Sequence, residues 1–221
     1  MRPQSFLQTN TPVASQLYEQ VATWVDEAEA GGGTEAEAGV GAGADAAARR
    51  TPFVVWDMFC GVGGFALHCA RPLGDESRRV IGVEVSAQAI ESATRTAQEL
   101  GLGAAFTTAD ATLFARAPMG PPQSGTTTAP VSSDESAALP PHPDLLIVNP
   151  PRRGLGHDLA GWVEDSGIDD VVYSSCNPKT LAKDLGAMQS YRITAARLLD
   201  MFPHTAHAEV VVRLARTSTP H

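Results

Sequence analysis

Three cysteines in 221 residues are too few for a disulfide scaffold, and one of them must stay unpaired. An iron–sulfur cluster ordinarily takes four cysteine ligands, so no cluster of that kind is expected on this chain alone. Free thiols in a reducing cytoplasm are the reading this supports. No run approaches the roughly 18 uninterrupted apolar residues of a membrane-spanning helix, so no membrane association is expected. Met1-Arg2-Pro3-Gln4-Ser5 leads into polar sequence and lacks the apolar segment of a secretory signal. Basic residues are scarce as well: 16 Lys and Arg stand against 25 Asp and Glu, a net charge of −9.

That charge argues against a nucleic-acid partner until its distribution is followed. Asp26, Glu27, Glu29, Glu35, Glu37 and Asp45 fall within residues 26–45 without a base, and Asp134 and Glu135 within 117–143. Setting these eight acids aside leaves the rest at −1, so a local basic groove is compatible with the composition. Both stretches are also compositional breaks. Residues 28–48 are almost wholly Ala, Gly and Glu, whereas 117–143 are rich in Pro, Ser, Thr and Gly. Neither buries enough apolar surface to offset its ordering entropy, so both are expected to be flexible insertions. The chain divides into an N-terminal segment over 1–25, an insertion over 26–50 and one domain over 51–216 interrupted at 117–143.

What remains is apolar enough for a core, with 43% hydrophobic residues. Val13, Leu17, Val21 and Trp24 make the apolar stripe of a helix beginning near Pro12. Strands are expected at 53–59, 80–85, 105–109, 145–148 and 171–173, with further strands near 191–200 and 208–215. Helices are expected from Phe65 and over 179–187. Ser86 caps another, carrying Ala89, Ile90, Ala93, Ala97 and Leu100, and Gly101 ends it. This alternation predicts an α/β fold with a doubly wound, mostly parallel, seven-stranded Rossmann-like sheet, whose ligands bind at the carboxyl ends of the strands. No helical pattern separates the last two strands, so they are expected to form an antiparallel pair at the sheet end.

Cys60-Gly61-Val62-Gly63-Gly64 follows the first strand and opens a helix, where glycines let backbone approach a ligand. Glu84 ends the second strand, placed to accept both hydroxyls of a ribose. Asp110 ends the third, suited equally to an adenine contact and to a helix N-cap. A nucleoside cofactor with no demanding phosphate site fits this set; S-adenosylmethionine meets that description better than a dinucleotide, with NAD left open by the glycine count. After the fourth strand comes Asn149-Pro150-Pro151-Arg152-Arg153-Gly154. Adenine and cytosine N-methyltransferases share Asn-Pro-Pro, but an aromatic residue follows there to stack the base. Arg152 in that place argues against exocyclic-amine chemistry. Cys176, in Ser174-Ser175-Cys176-Asn177-Pro178, lies at a strand end before a helix, where the macrodipole favours thiolate. Cys60 and Cys69 read as buried core. His204 and His207 stand three apart, but Pro203 interrupts helical spacing and no metal site is expected.

Taken together, the stretches DMFCGVGGF, NPPRRG, SSCNPKTLAKDL and DMFPHTAHAEV resemble the class I S-adenosylmethionine-dependent RNA uracil-C5 methyltransferases. Residues 3–10 and Asn149, in place of the commoner Asp, resemble the 23S ribosomal RNA branch of uracil-747 type. The resemblance implies Gln8, Phe59, Glu84 and Asn149 as cofactor contacts, joined by Gly61, Gly63 and Asp110 from the reading above. It implies Cys176 as nucleophile and Glu209 as general base. Arg152, Arg153, Lys179 and Lys183 lie near these motifs, suited to RNA phosphates or a developing enolate oxygen. The expected partner is 23S ribosomal RNA and the expected state a monomer. Transfer RNA as substrate, or an inactive cofactor- or RNA-binding fragment, are the alternatives. The family resembled has an N-terminal region, with four cysteines for an iron–sulfur cluster in this branch, whereas this sequence starts almost at the catalytic domain.

Overall fold

In a computed structural model of the chain, which describes residues 10–31, 52–118, 141–201 and 208–217, the apolar runs pair into one seven-stranded sheet. Its strands are β1 (Phe53–Met58), β2 (Arg78–Glu84), β3 (Ala104–Thr108), β4 (Leu145–Val148), β5 (Asp170–Ser175), β6 (Tyr191–Leu199) and β7 (Glu209–Arg216). They lie in the order β3-β2-β1-β4-β5-β7-β6. The first five in sequence run parallel. β7 is antiparallel to both β5 and β6. The expected antiparallel pair is therefore present, with the later strand inserted inside the earlier one. The order in which strands are added reverses between β1 and β4, which opens a crevice at their carboxyl ends.

Among the described residues, six helices cover the sheet: α1 (Thr11–Gly31), α2 (Gly64–Cys69), α3 (Ala87–Leu100), α4 (Ala111–Arg116), α5 (Gly156–Asp165) and α6 (Pro178–Leu185). On one face Trp56, Met58, Val148 and Tyr173 pack with Ala111, Leu159, Val163 and Leu181. On the other, Val55, Ile147 and Val172 meet Leu17, Val21, Trp24 and Phe65. Each such buried side chain contributes roughly 1.5–3 kcal/mol. Ser86 and Gly101 bound α3 as the sequence predicts, Ser86 Oγ accepting from Ala89 N and Gly101 taking φ 65°. Its stripe is narrower than expected: Ile90, Ala93 and Ala97 are buried, while Ala89 is only half-buried and Leu100 faces solvent. α4 and α5 were not anticipated; one buries Ala111 and Ala115, the other Leu159, Ala160 and Val163. Among the described residues, no helix is long and apolar enough to cross a membrane.

α1 corrects the expected boundary at 25/26. It continues to Gly31, and residues 26–31 are helix rather than flexible insertion. The reason lies in the acids themselves. Arg78, with its side chain 2% exposed, donates to Asp26 Oδ1 at 2.7 Å, to Glu29 and to the Cys69 carbonyl at 2.9 Å. Arg71 reaches the same two carboxylates at 3.2 and 2.9 Å. Arg213, on β7, meets Glu27 at 3.0 Å. Three acids set aside as solvated charge thus fasten α1 across the sheet. Arg78→Ala is expected to lower stability by about 2–4 kcal/mol in chemical denaturation, since it strands partly buried carboxylates and a carbonyl. Arg71→Ala, at a site 35% exposed, is expected to cost no more than about 1 kcal/mol.

Candidate active site

β1 delivers the chain into a turn that L-residues ordinarily avoid. Phe59 has φ 63°, the one non-glycine residue with positive φ among those described. Gly61 and Gly63 follow with φ 55° and 87°. A Cβ at Gly63 would also stand 3.1 Å from both Ala93 and the Phe106 ring, so glycine is required there twice over. Glu84, at the end of β2, accepts from Gly61 N at 3.3 Å and from Ser86 N at 3.0 Å. The structure therefore brings the predicted glycines and the predicted carboxylate into direct contact. Asp110 serves as the N-cap of α4, accepting from Thr112 N at 2.9 Å and Leu113 N at 3.1 Å. Asn149 follows β4, half-buried, and its backbone N donates to Met58 O at 3.2 Å, which ties the NPPRRG loop to the glycine turn.

Three large apolar side chains missed by the sequence reading stand exposed on this edge. Val62, Val85 and Leu113 follow β1, β2 and β3 respectively and are 47%, 71% and 73% exposed. Apolar residues next to Gly61, Glu84 and Asp110 were the available signal. An apolar rim beside Glu84 and close-approach glycines suits a nucleoside: the carboxylate for its ribose, the rim for its base. These residues fit S-adenosylmethionine.

Asp57 was also missed, although an acid inside an otherwise apolar strand marks it. It is fully buried; Oδ2 accepts from Ala66 N at 2.9 Å at the start of α2, and Oδ1 has no partner. Burial pushes its carboxyl up to about 7, the bond from Ala66 opposing this and the charge of Glu84 adding to it. Tyr18 of α1 lies against the same turn: a Cβ at Gly64 would approach its hydroxyl to 2.7 Å. Burial raises its phenol, and the charges of Asp57 and Glu209 raise it further.

The second half of the site is built by β5 and β7. Ser174 pairs with Val211 and Ser175 with Val210, and Cys176 and Glu209 are the next residues along the chain on either side of that last pair. Cys176 is half-buried and unpaired by any disulfide. Glu209 is 5% exposed and accepts from Ser174 Oγ at 2.5 Å. Burial raises its carboxyl, and the serine bond holds it partly down. Asn177 caps α6, Oδ1 accepting from Lys179 N at 3.2 Å, while its Nδ2 donates to Arg152 O at 2.9 Å. Arg152, Arg153, Lys179 and Lys183 are exposed, and none is ion-paired among the described residues. Cys60 and Cys69 are buried and burial pushes both thiols up, as core cysteines. Gln8, His204 and His207 lie outside the described residues.

The folded Asp57 carboxyl keeps its proton to about 7, whereas the ordinary value is 3.8. Its contribution to stability is therefore complete below about pH 4 and lost as pH rises through about 7. Asp57→Asn keeps an acceptor for Ala66 N and removes that titration. Relative to the parent, the variant's Tm is expected to climb by about 4 °C or more from acid to mildly alkaline pH, read by calorimetry.

The tRNA (Uracil-5-)-methyltransferase family matches residues 142–217, and a general methyltransferase domain matches 55–125. The 23S rRNA (uracil(747)-C(5))-methyltransferase RlmC of Halothiobacillus neapolitanus is 41% identical over 217 residues, covering 98% of this chain and 46% of its own length. The chain thus spans a little under half of that relative. An RlmC-type relative from Haemophilus ducreyi is 40% identical over 219 residues, covering 98% of this chain and 83% of its own. Among solved structures, the Pyrococcus abyssi tRNA (uracil-54, C5)-methyltransferase in complex with S-adenosyl-L-homocysteine superposes with a TM-score of 0.64. That structure is 29% identical, and the match covers 97% of this chain and 41% of that one. Sheet order, motif placement and these relatives agree: the chain belongs to the class I RNA uracil-C5 methyltransferase family.

Proposed function

We propose that the chain methylates C5 of a uridine in 23S ribosomal RNA, at a site of the 747 type, through a covalent bond between Cys176 and C6. The observation that supports this is the β5–β7 pairing: β5 ends just before the half-buried Cys176 and β7 opens at the buried Glu209, at the edge where the glycine turn and Glu84 lie. The identity of about 40% to 23S rRNA enzymes favours that RNA. Transfer RNA is the second reading, favoured by the Pyrococcus abyssi neighbour, and parallel methylation of the two RNAs separates them. The proposal includes action as a monomer in the cytoplasm.

Uracil C5 is a poor carbon nucleophile, which is why a thiol is needed. Cys176 adds as thiolate to C6, and the electron pair moves through C5 to the C4 carbonyl as an enolate. S-adenosylmethionine, when bound, supplies an electrophilic methyl on a sulfonium. Gly61, Gly63, Glu84 and Asn149 would hold it, with Phe59 and Asp110 beside them and the apolar rim against its base. Glu209 then takes the C5 proton; the electron pair returns to the C5–C6 bond and the thiolate leaves. The target base must leave its stack to reach Cys176, and Arg152, Arg153 and Lys179 are placed to grip the flanking phosphates.

Wild-type protein with cofactor and RNA carrying 5-fluorouridine is expected to form a denaturation-resistant adduct, absent in Cys176→Ala; no adduct in folded, cofactor-bound protein refutes the mechanism. With ordinary uridine, Glu209→Gln is expected to lose about 10²–10⁴-fold in turnover and to accumulate the methylated protein–RNA complex. Since Glu209 acts unprotonated and burial raises its carboxyl, kcat/KM should rise with pH across its titration. Ser174→Ala removes the hydrogen bond that favours the charged form, so the rise is expected to move to higher pH, with activity recovering at alkaline pH.

A further inference from the structure

The loop that carries Arg152 and Arg153 is pinned at both ends to the element that carries Cys176. At its start, the Arg152 carbonyl accepts from Asn177 Nδ2 at 2.9 Å and from Thr180 Oγ1 at 3.2 Å. At its end, Leu155 N donates to Asp184 Oδ2 at 2.7 Å. The same oxygen accepts from Tyr173 Oη at 2.7 Å, and Tyr173 stands on β5 three residues before Cys176. Asp184 is 4% exposed and sits one helical turn beyond Thr180 on α6. Between the two pins, Gly154 is buried with φ 81°, and a Cβ there would collide with the Asp184 carboxylate and come within 3.2 Å of Thr180 Cβ.

We infer that Asp184 is a positioning residue for RNA capture, its carboxylate fixing the arginine loop relative to the Cys176 thiol. The inference rests on the methyltransferase reading above and deepens it. A buried carboxylate is costly unless its partners are fixed, and here its partners lie on β5 and at the end of the arginine loop, the two elements that lead to Cys176 and carry the arginines. One oxygen tied to β5 and to the loop makes the spacing between thiol and arginines independent of the exposed side chains themselves. The proposed cofactor contacts Gly61, Gly63, Glu84 and Asn149 take part in none of these bonds.

Two variants disturb the clamp in different ways. Asp184→Asn keeps the volume and removes the charge; Gly154→Ala keeps the carboxylate and pushes the loop off it. Each is compared with the parent for cofactor affinity by calorimetry, for melting, and for adduct rate with RNA carrying 5-fluorouridine over a range of RNA concentrations. Both variants are expected to bind S-adenosylmethionine within about twofold of the parent while losing tenfold or more in adduct rate at limiting RNA. Adding Arg152→Ala and Arg153→Ala to either is expected to lower the rate far less than it does in the parent. Unchanged adduct rates overturn the inference, as does a loss of cofactor affinity equal to the loss of rate, or a full arginine effect in the variant backgrounds. If the parent forms no adduct, the methyltransferase reading itself fails and the clamp falls with it.

Discussion

β7 runs against β5, and the candidate site depends on that single reversal. In a sheet whose other central strands are parallel, ligand-facing groups gather at one edge, the carboxyl ends. A seventh strand running parallel would present its first residue at the opposite edge, more than about 20 Å away for eight residues. Because β7 enters antiparallel, its first residue, Glu209, arrives where β5 ends and Cys176 begins. Ser174 completes the arrangement from the same face, since residues two apart on a strand point alike and its hydroxyl reaches the Glu209 carboxylate.

The two halves of that edge are joined through β4. Asn149 leaves β4 with its backbone bound to Met58 on β1, and three residues later the Arg152 carbonyl is bound by Asn177 beyond β5. One short, proline-stiffened loop therefore touches the nucleoside side and the thiol side. Its rigidity matters because a methyl donor and a nucleophilic carbon must meet at near-attack distance, and small displacements are costly there.

Much of this was legible in the sequence where the signal was local. Apolar runs gave the strands, Ser86 and Gly101 bounded α3, and the glycine turn with Glu84 declared itself by residue type and position. The pairing of β5, which ends just before Cys176, with β7, which opens at Glu209, was not legible locally, because a non-local register cannot be read from either strand alone. Asp57 and Asp184 were missed since their partners, Ala66 N, Leu155 N and Tyr173 Oη, are set by tertiary packing. The helix boundary at residue 25 was misread for a related reason. The Ala/Glu composition of the following residues suits solvent, and it is the burial of Ala28 together with Arg71, Arg78 and Arg213 that holds them against the fold.

Those same arginines bear on how an acidic chain meets RNA. Arg71, Arg78 and Arg213 are spent on the acids of α1 and on Asp170, so they offer nothing to a phosphate. Arg152, Arg153, Lys179 and Lys183 have no acidic partner among the described residues, and all four follow the carboxyl ends of β4 and β5. On the cofactor side of the same edge stand Glu84 and the buried Asp57, while the buried Glu209 stands beyond β5, at the start of β7. The signs thus separate by exposure: the four cations are open to solvent, whereas Asp57 and Glu209 are buried. Such a division lets local potential override a net charge of −9, because exposed charges more than about 10 Å apart are largely screened at physiological salt while the contacts at the site are not.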